Sequence, residues 1–264
     1  MTFRLRQGSS PLLVSIPHMG TDIPEALRSG YVPRALAVED TDWHLDRLYD
    51  FTDALGASVL QPLTSRYVID LNRPPDDQPM YPGASNTELC PTRFFTGDPL
   101  YAGTAPDAAT RSKRLATYWQ PYHRALQEEI ARIRSAHGFV LLWDAHSIRS
   151  EIPWLFGGRL PDLNIGTAGG EAAAPSIADA VVRAAAQSQR FTHVLNGRFK
   201  GGYITRRYGR PAEHVHAVQL EMCQCTYMRE EPPYDWMAER AAQVQPVVRG
   251  MVEAALAAAR SLYA

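Results

Sequence analysis

Cysteine is scarce in this chain, and the three present, Cys90, Cys223 and Cys225, do not form a framework of bridges. The count is odd, and Cys223 and Cys225 stand two positions apart on a predicted strand, facing the same side. That usage fits a reducing compartment, and a cytoplasmic location is the expectation. No run of about 18 apolar residues is available for a membrane span, and Met1 to Gln7 lacks an apolar signal core. There is no basic tail or Lys/Arg block either. Charges of both signs are interspersed to a net of −1, so nucleic acid and anionic membrane are poor partners. Lysine is scarce beside arginine, which suits bidentate recognition of carboxylates, although a GC-rich genome gives the same bias. Also missing are a Gly-x-Ser-x-Gly elbow for a serine nucleophile, a phosphate-cradling glycine loop in the right context, a linker and an internal repeat. The 264 residues therefore read as a single domain, 1–264. Composition specifies no oligomeric state.

What is present is an alternation of strands and helices. Leu12 to Ile16, Ser58 to Leu60, Tyr67 to Leu71, Phe139 to Trp143, Thr192 to Leu195 and Val215 to Met222 read as strands. The apolar period predicts helices over Asp40 to Leu55, Ala105 to His137 (one or two, broken near Pro121), Ser176 to Ser188 and Asp235 to Leu262. Gly157 to Gly170 reads as loop. Pro74 to Gly103 is long, rich in Pro, Gly, Asp and Thr, and such loops are usually functional or disordered. This order predicts an α/β fold, a three-layer α/β/α sandwich on a mixed, mostly parallel sheet.

Reactive residues fall at strand ends, where open α/β sheets build their sites. His18 follows one buried strand and His146 another, while Glu221 lies inside a third. A hydrolytic zinc site takes three ligands from His, Asp or Glu and keeps a position open. Asp42 and Asp46 offer a carboxylate pair at one-face helical spacing, although acidic residues at a helix N-terminus more often serve its dipole. Asn72-Arg73 places a guanidinium fork beside an amide, suited to a carboxylate. Arg66 lies nearby, and its bland reading is that it ties down Asp70.

In this order, His18, an acidic residue, Arg66, Asn72-Arg73, His146 and Glu221 resemble the site residues of zinc carboxypeptidases and aspartoacylases. The chain resembles more specifically the N-formylglutamate amidohydrolase family, the deformylase of histidine degradation. The matching stretches are Ser15 to Pro24, Asp40 to Phe51, Ser65 to Pro75, Tyr81-Pro82-Gly83, Trp143 to Ser147, Asn196 to Gly209 and Val218 to Met222. They run in order over nearly the whole chain. One departure is that Thr21, not Glu, stands three residues after His18, so the carboxylate ligand comes from elsewhere. The resemblance points to Asp42 or Asp46, with a slight lean to Asp46 and with Asp22 or Asp144 as the fallback.

The resemblance implies a zinc-carboxypeptidase-like (phosphorylase/hydrolase-like) fold and zinc, or another divalent transition metal, on His18, His146 and Asp42 or Asp46. It implies Glu221 as the acid/base and Arg66 at the developing oxyanion. Asn72 and Arg73 would hold one carboxylate of a small N-acyl acidic amino acid, and one of Lys200, Arg206 and Arg207 the second. The reaction implied is hydrolysis of N-formyl-L-glutamate. The alternatives are a related metal-dependent deacylase or carboxypeptidase acting on another N-acyl acidic amino acid, and a non-catalytic dicarboxylate-binding protein.

Overall fold

The computed structural model describes residues 2–80 and 86–264, so the Tyr81-Pro82-Gly83 match lies outside the described residues. Seven strands form one sheet: β1 (Phe3–Arg6), β2 (Leu12–Ser15), β3 (Ser58–Pro62), β4 (Val140–Ile148), β5 (Leu163–Gly166), β6 (His193–Leu195) and β7 (Val215–Cys223), in the order β1-β3-β2-β4-β7-β5-β6. Pairings β3–β2, β2–β4, β4–β7 and β5–β6 are parallel, while β1–β3 and β7–β5 are antiparallel. The sheet is thus mixed and mostly parallel, as expected. Its three central strands, β2, β4 and β7, are buried along their whole length. Near-continuous apolar runs such as Val140-Leu141-Leu142-Trp143 are the pattern of parallel strands covered on both faces.

Helices supply that cover. On one face α5 (Pro175–Ala186) and α7 (Ala238–Leu262) pack Ile177, Val181, Val248, Met251 and Val252 against Val14, Trp143 and Val218. On the other, α4 (Gln120–His137) and a short helix, α6 (Tyr203–Tyr208), pack Leu126, Ile133 and Ile204 against Leu13, Leu142 and Ala217. The apolar stripe of α4 recurs at helical spacing, and Gly138 ends it with φ 81°. The remaining short helices are α1 (Glu25–Arg28), α2 (Leu45–Leu48) and α3 (Ala108–Arg114).

Several local expectations fail. The helix over Asp40 to Leu55 shrinks to α2 and a turn of 3₁₀ helix at Asp50–Thr52. His44 sits at φ 61° before it, so helix begins only at Leu45. Tyr67 to Leu71 is buried but makes turns, not a strand, since Val68 N–H bonds Ser65 O and Asp70 N–H bonds Leu89 O. Of the two readings of Ala105 to His137, the unbroken one holds: α3 runs through a π-turn at Leu115–Trp119 into α4, and that turn just before Pro121 absorbs the irregularity. β1, β5 and α6 were not read from the pattern. β5 hides in the Gly157 to Gly170 segment and is only four residues long.

Candidate active site

The parallel register of β4 and β7 sets His146 beside Glu221, and Asp144 beside Gln219 one row earlier. Side chains two apart share a face, so these four point to one side of the sheet. β2 ends at Ser15, and the following turn delivers His18 to the same place. Asp42 arrives from the turn before α2, where its N–H bonds the His18 carbonyl at 3.1 Å.

His18, Asp42 and His146 converge, all buried. The two Nδ1 atoms are 3.2 Å apart, and Asp42 Oδ2 lies 3.3 Å from His146 Nδ1 and 3.7 Å from His18 Nδ1. Among the described residues this is the one group of three potential ligands close enough to share an ion. Donors that bind one ion tetrahedrally at about 2.0–2.1 Å stand about 3.3 Å from each other, so the triangle is of the right size. The outer nitrogens are also held. His18 Nε2 meets Asp70 Oδ1 at 2.7 Å; His146 Nε2 meets Asn72 Nδ2 at 2.9 Å and Asp144 Oδ1 at 3.2 Å. Such partners fix ring orientation in metal sites. Nε2 cannot serve both partners at once: it accepts from the Asn72 amide while Nδ1 carries the proton, and a proton on Nε2, as Nδ1 ligation requires, turns to Asp144 Oδ1, which is buried without a hydrogen bond of good geometry. The donor set and its surroundings therefore fit a divalent transition metal.

Electrostatics agree. Burial opposes charge on Asp42, yet the hydrogen bond to His146 and the nearby His18 ring outweigh it and hold the carboxyl well below its usual pKa. Burial likewise opposes charge on His146, but Asp144, Asp42 and Glu221 hold its pKa well above the imidazole value. The cluster favours a positive charge at this position. Glu221 behaves in the opposite way. Burial dominates and pushes its pKa up to about 8, with Asp42 and Asp144 adding to the rise and His146 and Arg66 opposing it. A carboxyl that can carry a proton near neutral pH is a usable acid/base.

One cavity, with about 660 Å³ of empty space including its mouth, is lined by His18, His146 and Glu221. Arg66, Arg73 and Arg198 also line it, as do Asn72, Thr87, Gln219 and the apolar Phe95, Leu155 and Phe199. Arg66 donates to Asp70 at 2.7 Å, lies 3.8 Å from Asp42 and stacks 4.7 Å from the Phe95 ring centre. Both sequence readings of Arg66 thus meet in one place: it braces Asp70 and faces the cavity. Arg73 is pinned by the Thr87 carbonyl, the Thr87 hydroxyl and the Asn72 carbonyl, at 2.7–3.0 Å. All three acceptors are neutral, and two of its five N–H groups are left. The Asn72 amide accepts from Ile204 N–H at 2.8 Å and turns its nitrogen to His146, so it ties α6 to the cluster as well as lining the cavity.

Four expected residues are elsewhere. Asp46, towards which the sequence leaned, is exposed, accepts from Arg47 N–H at 2.9 Å and lines a separate surface groove with Arg4 and Arg6. The correction follows from α2, whose late start leaves Asp42 in the preceding turn and turns Asp46 outward. Lys200, Arg206 and Arg207 are exposed and none lines the cavity. Arg206 Nε bonds the Gly201 carbonyl, and Arg207 lies over Tyr208. The cation from this segment that reaches the cavity is Arg198, which sequence reasoning missed; nothing in its spacing separates it from its neighbours. Asp70 was missed as a partner of His18, although a carboxylate inside Tyr67-Val68-Ile69-Asp70-Leu71 needs one when buried. Cys223 does not line the site; its thiol faces the Pro161 carbonyl at 3.3 Å.

Among the described residues no helix is long and apolar enough to cross a membrane. The sequence profile of the N-formylglutamate amidohydrolase family matches residues 10–228. An N-formylglutamate deformylase of Pseudomonas aeruginosa is 52% identical over 260 residues, covering 98% of this chain and 97% of that protein. Another from Pseudomonas putida is 50% identical, covering 95% of this chain and 94% of its own. The crystal structure of N-formylglutamate amidohydrolase from Ralstonia eutropha JMP134 superposes with a TM-score of 0.81 at 25% identity, over 98% of this chain and 97% of that one. With a matching family profile over residues 10–228 and relatives at 50–52% identity, the chain belongs to the N-formylglutamate amidohydrolase family.

Proposed function

We propose that this protein is a zinc-dependent amidohydrolase that converts N-formyl-L-glutamate and water to formate and L-glutamate, the deformylation step of histidine degradation, in the cytoplasm. The observation that carries the reading is the His18–Asp42–His146 triangle beside Glu221, in a cavity that also presents arginines. The printed activity of the relatives at 50–52% identity supports the substrate.

His18 Nδ1, His146 Nδ1 and Asp42 Oδ2 would hold the ion, with Asp70 and Asp144 behind the rings. Such an ion supplies Lewis acidity towards the acyl oxygen and makes a water molecule more acidic. Glu221 takes the proton from the attacking water and delivers it to the departing amine nitrogen as the C–N bond breaks. Its burial beside charged neighbours keeps both forms accessible, and removing such a group typically costs 10²–10⁴-fold. Arg66, fixed by Asp70, offers N–H donors to the oxygen that gains charge. Arg73, with Asn72 beside it, holds the α-carboxylate two bonds from the scissile nitrogen. Phe95 and Phe199 exclude water from the carbon chain.

The test is formate release by the metal-replete protein from N-formyl-L-glutamate, N-acetyl-L-glutamate and N-formyl-L-leucine, before and after chelation. Chelator-sensitive release from the formylated glutamate alone is the expected result. Cleavage of the acetylated compound without formate release would assign the site to a related deacylase. No cleavage with metal bound would sink the hydrolase reading.

A further inference from the structure

We infer that Arg198 is the specificity-determining residue that binds the side-chain carboxylate of the substrate; the inference rests on the reading above. Three guanidinium groups line the cavity. The charge of Arg66 is engaged by Asp70 and Asp42. The hydrogen bonds of Arg73 go to neutral oxygens, and its charge acts on Asp70 at longer range. Arg198 lies with its terminal nitrogen 3.4 Å from the Leu155 carbonyl and its guanidinium 5.5 Å from the Phe199 ring centre. Among the described lining residues the one carboxylate side chain is Glu221, against three guanidinium groups. Such a cavity attracts more than one negative charge.

Topology separates the two cations. Arg73 follows β3 by way of Asn72, whose amide touches His146. Arg198 follows β6, the edge strand at the other end of the sheet, and sits on the apolar wall of Leu155 and Phe199. Arg73 is therefore the cation tied to the reacting centre and takes the carboxylate next to the scissile bond. Arg198 takes the one that lies three carbons from the scissile nitrogen's carbon, with the intervening methylenes against the aromatic wall. A fork geometry suits this task better than an ammonium, in keeping with an arginine at this position and the outward Lys200.

The experiment compares N-formyl-L-glutamate with N-formyl-L-glutamine, which has the same shape without the charge. Wild type, Arg198→Met and Arg198→Lys are assayed as zinc-loaded full-length proteins, and thermal melting checks that each is folded. Wild type should strongly prefer the glutamate compound. In Arg198→Met, kcat/KM for it should fall about 10–150-fold, the factor expected for one lost charge-assisted pair. The glutamine compound should stay within about threefold on the same scale, and Arg198→Lys should fall between. Inhibition by glutarate should weaken in parallel. A glutamate preference that survives Arg198→Met, or an equal fall for both substrates, overturns the assignment. Wild type that hydrolyses neither compound overturns the underlying reading and the assignment with it, a result distinct from a preference that persists in the variant.

Discussion

His18 Nε2 stands 2.7 Å from Asp70 Oδ1, and this contact determines that Nδ1, not Nε2, faces Asp42 and His146. Asp70 is itself fully buried and fixed by Arg66. Burial opposes its charge, but His18, Arg66 and Arg73 together hold its pKa well below the carboxylate range. It is therefore a permanent anion behind the ring.

Asp70→Asn should keep the fold and weaken zinc binding. Replacing the orienting partner of a ligand histidine typically costs 10–100-fold in affinity. Competition against a chromophoric chelator measures this directly. Affinity within twofold of wild type would show that the ring holds its orientation without Asp70.

The two aspartates of the Asp42–Asp46 pair should separate completely. Asp42→Asn should lose stoichiometric zinc and at least about 10³-fold in activity, since a ligand and a buried charge disappear together. Asp46→Asn, on an exposed side chain, should change stability by no more than about 0.5 kcal/mol and leave metal content at wild-type level. Metal analysis of the two purified variants settles the comparison; zinc retained in Asp42→Asn would require another ligand set.

Glu221 makes a pH-dependent prediction for chelated protein. Its folded pKa of about 8 lies above the value of about 4.3 in an unfolded chain. Between those values the folded state binds more protons than the unfolded one. The slope of unfolding free energy against pH is therefore negative, and stability falls as pH rises until it levels near 8. Glu221→Gln removes this loss. Melting temperatures of the two proteins should diverge from pH 4.5 to pH 8, with the glutamine variant gaining at least about 3 °C relative to wild type. Parallel melting curves across that range would refute the raised pKa.

How much of this could be read from sequence depended on whether a residue's position follows from strand geometry. His146 and Glu221 sit on the nine-residue strands β4 and β7, where alternation fixes the face, and His18 follows the short buried strand β2 by one turn. The β4–β7 register then sets His146 beside Glu221. Asp42 depended on a helix that does not form, because His44 adopts a left-handed conformation before it. One-face spacing therefore placed Asp46 beside Asp42 as an equal candidate, for a geometric reason absent from the molecule. Arg198 was illegible for a different cause. It belongs to an irregular run between β6 and α6, where side-chain direction follows tertiary contacts and has no period. The same holds for Tyr67 to Leu71, whose apolar residues look like strand but are buried by turns.

The close approach of α6 to the cluster gives the last prediction. Ile204 N–H bonds Asn72 Oδ1, and Gly202 N–H bonds Gln219 Oε1 at 2.6 Å. A Cβ on Gly202 would stand 2.3 Å from Asn72 Nδ2 and 2.6 Å from its Cγ. The backbone there is extended, at φ −81°, so alanine meets no conformational penalty. The obstacle is Asn72, which is buried and bonded at both ends of its amide and cannot swing aside without releasing His146 or Ile204. Gly202→Ala should destabilise the protein by about 1–3 kcal/mol, the usual cost of overpacking. It should also lower kcat/KM by more than tenfold through the displaced Asn72. Combining it with Asn72→Ala, which removes the clashing atoms, should recover the stability but not the activity. Denaturant unfolding of the two single variants and the double variant measures the coupling. Additive losses of stability would show that Gly202 and Asn72 do not press on each other.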